Sequence, residues 1–292
     1  MASQLKKDLK TIGTARAHSR TREQHTTMKK AIKTGNCPFC LPQIENWKYP
    51  AIKEGGYWIF KPNDFPYEDH RHHFVIIFKP HTNDVLDVPE EAWVEFGEIF
   101  DWVISKYKII DGAFVMRFGL SKFNASTVRH LHAHIQVPTN SALPEKSSDD
   151  RKEISAWLYG KLTDTGFPHN CWHTLERVCL LPHYRNHYLV YYNGNKKITS
   201  PDRKEWPHLF TTIQKVIKKN DLPGGGITIP FGPKIYNHRF LNKTAYAEIH
   251  VPNGTGKVWA VFVPNKYRCK ATFAKDTERD GLRKKRQKEF EK

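Results

Sequence analysis

The sequence predicts an α+β fold, a mainly antiparallel sheet with flanking helices, built as two tandem repeats of which the second is degenerate. Three observations point that way. Short apolar runs of strand length alternate with two amphipathic stretches of helical period. Four features recur along the chain at a fixed offset of 113 or 114 residues. The second copy keeps the apolar pattern of the first and loses most of its polar residues.

A first helix is expected over residues 21–34, ending in Lys33 and then Gly35, a usual C-terminal cap. It delivers the chain to Cys37-Pro38-Phe39-Cys40. Strands follow at Tyr57 to Phe60 and His73 to Phe78, with Pro-, Asp- and Asn-rich turns between them. Pro89 to Lys106 reads as a helix, because acids open it and Trp93, Phe96, Phe100, Val103 and Ile104 recur at its period. Phe114 to Phe118 and Leu131 to Val137 return to strand. The polar stretch 140–153 is the best internal boundary.

The repeat appears when residues 111–138 are laid against 223–252. Phe118 meets Phe231, Val137 meets Val251, His73 meets His187, and the helix around Trp93 falls near Trp206 to Lys219. We expect an ancient duplication of a strand, strand, helix, strand, strand unit. Where the first copy has His130, His132 and His134, the second has Thr244, Tyr246 and Glu248, and His81 becomes Asn195. The expected organisation is a basic N-terminal extension (1–34), a catalytic domain with a metal site (35–145), a degenerate second repeat (150–265) and a basic tail (266–292).

The net charge is +17, and the two ends carry most of it. Basic ends are either solvated extensions or contacts to DNA or RNA, and charge alone does not choose between them. No apolar run of about 18 residues exists to span a bilayer. The start of the chain lacks the apolar stretch of a secretory signal, so a cytoplasmic protein with no membrane partner is expected. Five cysteines, two of them as Cys-x-x-Cys, suit a metal in a reducing compartment better than a disulfide framework. The fragment His169, Cys171, His173 is a weaker metal candidate.

His130, His132 and His134 in HLHAHIQV recur at every second residue, which on a strand puts three imidazoles on one face and Leu131, Ala133 and Ile135 on the other. Histidine titrates near neutrality and serves as nucleophile, proton carrier or metal ligand, so this row is the expected chemical centre.

His-x-His-x-His bounded by apolar residues resembles the histidine-triad superfamily. The segment His73-Phe-Val-Ile-Ile-Phe-Lys-Pro-His81 is similar to that family's strand, turn and histidine. Asn63-Asp64-Phe65-Pro66 resembles the nucleoside-binding start of the duplicated branch that holds galactose-1-phosphate uridylyltransferase and diadenosine tetraphosphate phosphorylase. The likeness covers residues 36–139, and the second copy extends it in diluted form.

The resemblance implies a structural zinc on Cys37, Cys40, His81 and His130, with the two thiolates and two imidazoles that a closed tetrahedral site takes. It implies that His132 is the nucleophile, forming a covalent nucleotidyl-histidine that water, phosphate or another acceptor resolves. His134 would bind phosphate oxygens, His73 would support the site, and Thr127 would bond the phosphate or leaving group. Ser126 and Asn124 could also donate to charge developing on the oxygens. Asn63 and Asp64 would meet the ribose or base.

Two departures stand out. Arg117 occupies a position where the family often has Asn, and it could itself clamp a phosphate. His134 stands where the uridylyltransferase branch has Gln, which argues for a nucleotide hydrolase or phosphorylase. The expected substrate is a nucleotide or dinucleoside polyphosphate, and the expected assembly is a monomer or homodimer. The alternative is a protein that removes adenylate from nucleic-acid ends, or binds nucleotide without turnover, using the basic termini.

Overall fold

The computed structural model describes residues 21–67, 70–110, 112–124, 126–138, 171–177, 184–193, 205–231 and 246–252. Residues 1–20, the boundary at 140–153 and the basic tail 266–292 lie outside them, as do His169, Asn195 and Thr244.

Helix α1 spans Arg22–Thr34. The Thr21 hydroxyl accepts from the Gln24 amide at its start, and Gly35 ends it at φ 73°, a left-handed conformation that costs glycine little. Its buried face, Gln24, His25, Met28 and Ala31, includes Met28, which packs with Cys37 and Val128. The predicted helix therefore forms, and it covers the cysteine turn it introduces.

Among the described residues nine strands make one antiparallel sheet. They are β1 (Lys53–Glu54), β2 (Trp58–Pro62), β3 (His70–Phe78), β4 (Gly112–Gly119), β5 (His132–Pro138), β6 (Cys171–Arg177), β7 (Tyr184–Asn193), β8 (Gly224–Phe231) and β9 (Tyr246–Pro252). Their order across the sheet is β1-β2-β3-β5-β4-β8-β9-β7-β6. Read outward from the β4–β8 seam, one half runs β4-β5-β3-β2 and the other β8-β9-β7-β6, so the halves repeat each other's element order. A register irregularity repeats as well. It falls between His70 and His72 in the β3–β5 pair and between Tyr184 and Asn186 in the β7–β9 pair, at the offset found in the sequence.

Helices α2 (Glu90–Lys106) and α4 (Glu205–Lys219) lie against one face of the sheet, while α3 (Ser121–Asn124) is a single turn after β4. The two long helices meet through aromatics. Trp93 stacks on Phe210 with ring centroids 3.9 Å apart, and Phe96 meets Trp206 edge-on at 5.7 Å. Gly97 permits this approach, since a Cβ there would come within 2.8 Å of the Trp206 ring. Burying such a side chain stabilises by roughly 1.5–3 kcal/mol, and this cluster holds the helix-side core.

Alternation sends Phe74, Ile76, Phe114, Met116, Ala133 and Ile135 into that core. It sends His73, His132, His134 and Gln136 to the opposite face, where all but His134 are also buried. The expected strand over Leu131 to Val137 forms, but it begins at His132. His130 sits in the preceding bend, so two of the three triad histidines share the strand face and the third turns towards the cysteines.

Candidate active site and metal centre

The cysteine turn closes with the Cys40 amide donating to the Cys37 carbonyl at 3.2 Å. It brings Cys37 Sγ to 3.5 Å from His130 Nδ1, and Cys40 Sγ to 3.2 Å from His81 Nδ1 and 3.8 Å from His130 Nδ1. The two histidine Nδ1 atoms are 3.3 Å apart. One ligand atom from each of these four residues lies within 4.8 Å of the other three, so the group could hold a metal ion. His130, 1% exposed, donates through Nε2 to the Phe78 carbonyl, which leaves Nδ1 with the lone pair that faces the sulfurs. A hydrogen bond from the Cys37 thiol to the Cys40 sulfur pulls the Cys40 thiol well below its ordinary range and, with burial, pushes the Cys37 thiol up. The Cys40 sulfur in turn raises the His81 pKa.

His132 is 7% exposed, and its Nδ1–H donates to the His130 carbonyl at 2.5 Å. The lone pair of the neutral ring is thereby placed on Nε2. Burial pushes the pKa of this imidazole down to about 4 against the opposing bond to the His130 carbonyl, with the neighbouring His130 ring and Arg117 adding to the fall, so the neutral form prevails at pH 7. Phe39, from the middle of the cysteine turn, meets the His132 ring edge-on at 4.9 Å.

His134 projects from the same face of β5, its ring centroid 5.1 Å from that of His132. Behind it the Tyr67 amide is 3.3 Å from His73 Nδ1, and His73 Nε2 is 3.0 Å from His134 Nδ1 and 2.9 Å from Asn63 Nδ2. Asn63 closes the side of this pair: its Oδ1 accepts from the Phe65 amide, and its Nδ2 is 3.5 Å from His134 Nδ1. Tyr67 stacks on the His73 ring at 5.1 Å.

Arg117 follows Met116, which pairs with Ala133; its charge acts on His132, and its Nη1 donates to the Asn124 carbonyl. Asn124 and Ser126, read from sequence as donors to the ligand, are engaged in shaping the loop before β5. Asn124 Nδ2 meets the Phe118 and Gly119 carbonyls, its Oδ1 takes the Ser126 amide, and the Ser126 hydroxyl donates to the Val128 carbonyl. Thr127 stands half-buried between them and His130. Asp64 receives both the Lys61 ammonium and the Tyr49 amide on Oδ1.

Sequence reasoning passed over several polar residues on this face. Lys61 is 1% exposed in β2, and its signal was a lysine inside the apolar run WIFKP. The second half is less bare than its lost histidines suggest. Glu248 and His250 pair at 2.8 Å on the triad side of β9, and the register runs from His134 through Val115 and Thr228 to Glu248. Thr228 Oγ1 and Gln136 Oε1 are buried there with no hydrogen-bond partner among the described residues. The alternation of Glu248 with His250 was the available signal.

No protein-family model and no curated protein matches the sequence. Among solved structures, a GalT-like protein from Arabidopsis thaliana is similar at 13% identity over 81% of this chain and 86% of that one, with a TM-score of 0.49. An ADP-glucose phosphorylase from Arabidopsis thaliana, with bound ADP-glucose, gives 13% identity, 78% and 82% coverage and a TM-score of 0.49. Yeast Ap4A phosphorylase in complex with AMP gives 11% identity over 69% of this chain and 58% of its own, with a TM-score of 0.36. Among the described residues no helix is long and apolar enough to cross a membrane.

Proposed function

We propose that this chain is a nucleotidyl hydrolase or transferase that works through a covalent intermediate on His132. The observation that carries the reading is the bond from His132 Nδ1 to the His130 carbonyl, which holds a buried neutral imidazole with its lone pair on Nε2. In the reaction that lone pair forms a bond to the α-phosphorus of a nucleotide. The bond from phosphorus to the leaving oxygen breaks, and its electrons leave with that oxygen. His134, beside His132 on the same face of β5, contacts a phosphate or leaving-group oxygen, and Arg117 places positive charge beside the reacting centre. An acceptor, water or phosphate, then attacks phosphorus and returns the electron pair to His132.

His73 and Asn63 act through His134, whose ring they hold in place. The Thr127 hydroxyl is the side-chain donor of the loop left for the ligand, since Ser126 and Asn124 are committed to the backbone. A dinucleoside polyphosphate, offering two α-phosphates, is the substrate class we assign. Residues 35–145 form the catalytic domain and 150–265 a second repeat derived from it by duplication.

Cys37, Cys40, His81 and His130 fit zinc. Bonds of ~2.3 Å to sulfur and ~2.0 Å to nitrogen in a tetrahedron imply ligand separations from roughly 3.3 Å between nitrogens to roughly 3.8 Å between sulfurs. Four of the six separations here run from 3.2 to 3.8 Å, and all six lie within 4.8 Å. A closed four-ligand zinc supplies cross-linking rather than reaction chemistry, tying the cysteine turn to the bend that carries the His130 carbonyl.

The test is turnover of dinucleoside polyphosphates by the full chain and by His132→Asn. Loss of turnover with an unchanged melting temperature is expected, and full activity in a folded variant would remove His132 from the chemistry.

A further inference from the structure

Two polar side chains on the triad face of the sheet are buried without a partner. Thr228 is 3% exposed and Gln136 4%, and neither Thr228 Oγ1 nor Gln136 Oε1 has a hydrogen bond among the described residues. A buried polar atom left unbonded costs free energy that an apolar side chain of the same shape avoids, so valine and leucine would serve a plain scaffold better. Both residues share a surface with the chemistry. Gln136 lies two residues beyond His134 and pairs with His73 on one side and Ala113 on the other. Thr228 pairs with Val115 and Val115 with His134, two strand spacings or about 10 Å away.

The ground between them is apolar. Ala113 and Val115 of β4 form it, and Gln136 and Thr228 bound it about 12 Å apart, two strand spacings across and two residues along. Past Thr228 the strip ends on Glu248, whose Oε2 lies 2.8 Å from His250 Nε2. One row nearer His132, Arg117 pairs with Gly226 and Gly226 with His250, so no side chain stands on β8 between them. An apolar floor edged by a few polar groups is the make-up of a small-molecule pocket. On the β2 side of the triad, Asn63 and the Tyr67 ring stand against the His73–His134 pair. The β8 side is therefore the flank along which the leaving portion of a bound substrate extends.

We infer that this β4–β8 strip binds the second nucleoside of a dinucleoside polyphosphate, which lies on Ala113 and Val115 and bonds Gln136 and Thr228 with its polar edges. This rests on the nucleotide function and the substrate class proposed above. A nucleoside presents both donors and acceptors, which suits an amide and a hydroxyl that each offer both. The second half of the sheet then belongs to the substrate site through Thr228, rather than only supporting the first half.

The experiment measures dissociation constants by calorimetry, with the full chain, for methylene-bridged dinucleoside tetraphosphates of adenosine, guanosine, cytidine and uridine. Each is compared with the matching methylene-bridged nucleoside 5′-tetraphosphate, which keeps the phosphates and lacks only the second nucleoside. The wild type is expected to bind at least one dinucleoside ligand about tenfold or more tightly than its single-nucleoside counterpart, the scale of two hydrogen bonds. Thr228→Val, and independently Gln136→Leu, should each cut that ratio by about threefold or more through weaker binding of the dinucleoside ligand. Both variants should melt no lower than the wild type, and a marked fall would reveal a structural bond and overturn the inference. Equal weakening of both ligands, or an unchanged ratio in folded variants, would make the two residues scaffold and overturn it as well. Wild-type binding of both ligand types with equal affinity would overturn it while leaving the nucleotide function standing. Failure to bind any of the eight would count against both.

Discussion

His130 serves two neighbours at once: its ring nitrogen Nδ1 faces the cysteine pair, and its carbonyl oxygen takes the Nδ1 hydrogen of His132. The candidate metal site and the proposed nucleophile are thus joined through His130. Phe39 adds a second link, since it belongs to the cysteine turn and packs on the His132 ring. Disturbing the metal ligands should therefore reach the chemistry without touching the substrate.

One zinc per chain is expected in native mass spectrometry. Cys40→Ser should release it, lower the melting temperature and reduce kcat by about tenfold or more, because a weakened metal site loosens both links to His132. A metal-free Cys40→Ser protein with wild-type kcat would show that the centre does not support the nucleophile.

His73 is assigned to orient His134 through a 3.0 Å bond. His73→Phe should lower kcat by roughly ten- to a hundredfold with little change in KM, the pattern of an interaction made in the transition state. Steady-state kinetics checks this, and a rise in KM at constant kcat would place His73 in ground-state binding.

Gly97 tests the packing of the two long helices. Gly97→Val puts carbon where the Trp206 ring already lies, and overpacking of this kind costs about 1–3 kcal/mol. Urea unfolding should show the loss, and an unchanged midpoint would mean that α2 and α4 separate without cost.

Burial lowers the Lys61 pKa below its ordinary 10.5. The unfolded chain therefore binds more protons at this residue between the folded value and 10.5, and its contribution to stability rises with pH across that window and is lost as pH falls through the folded value. The stability of wild type relative to Lys61→Met should increase from pH 7 to pH 10 in urea titrations. A difference that falls with pH would contradict the assignment.

Much of this organisation was legible in the sequence, for physical reasons that differ by element. The helices over residues 22–34 and 90–106 were readable because their apolar spacing and end signals are local, as Thr21, Gly35 and Pro89 show. The like element order of the two halves was readable because a half-buried strand keeps its alternation even where its polar residues differ. The start of β5 was misplaced by one residue relative to Leu131, because the pull of the cysteine turn on His130 is a long-range contact that periodicity does not carry. The same limit hid the duties of Asn124 and Ser126, polar residues whose partners are backbone groups of their own loop. Lys61 was overlooked because its burial depends on Trp47 and Asp64 meeting it in space.

The most direct test of the central claim is intact-protein mass spectrometry of the full chain after rapid acid-free quenching of a reaction with a dinucleoside polyphosphate. A mass increase of one nucleoside monophosphate residue is predicted in the wild type and in His73→Phe, and none in His132→Asn. An adduct of the same mass in His132→Asn, or its absence from a wild type that is turning over substrate, would contradict a covalent route through His132.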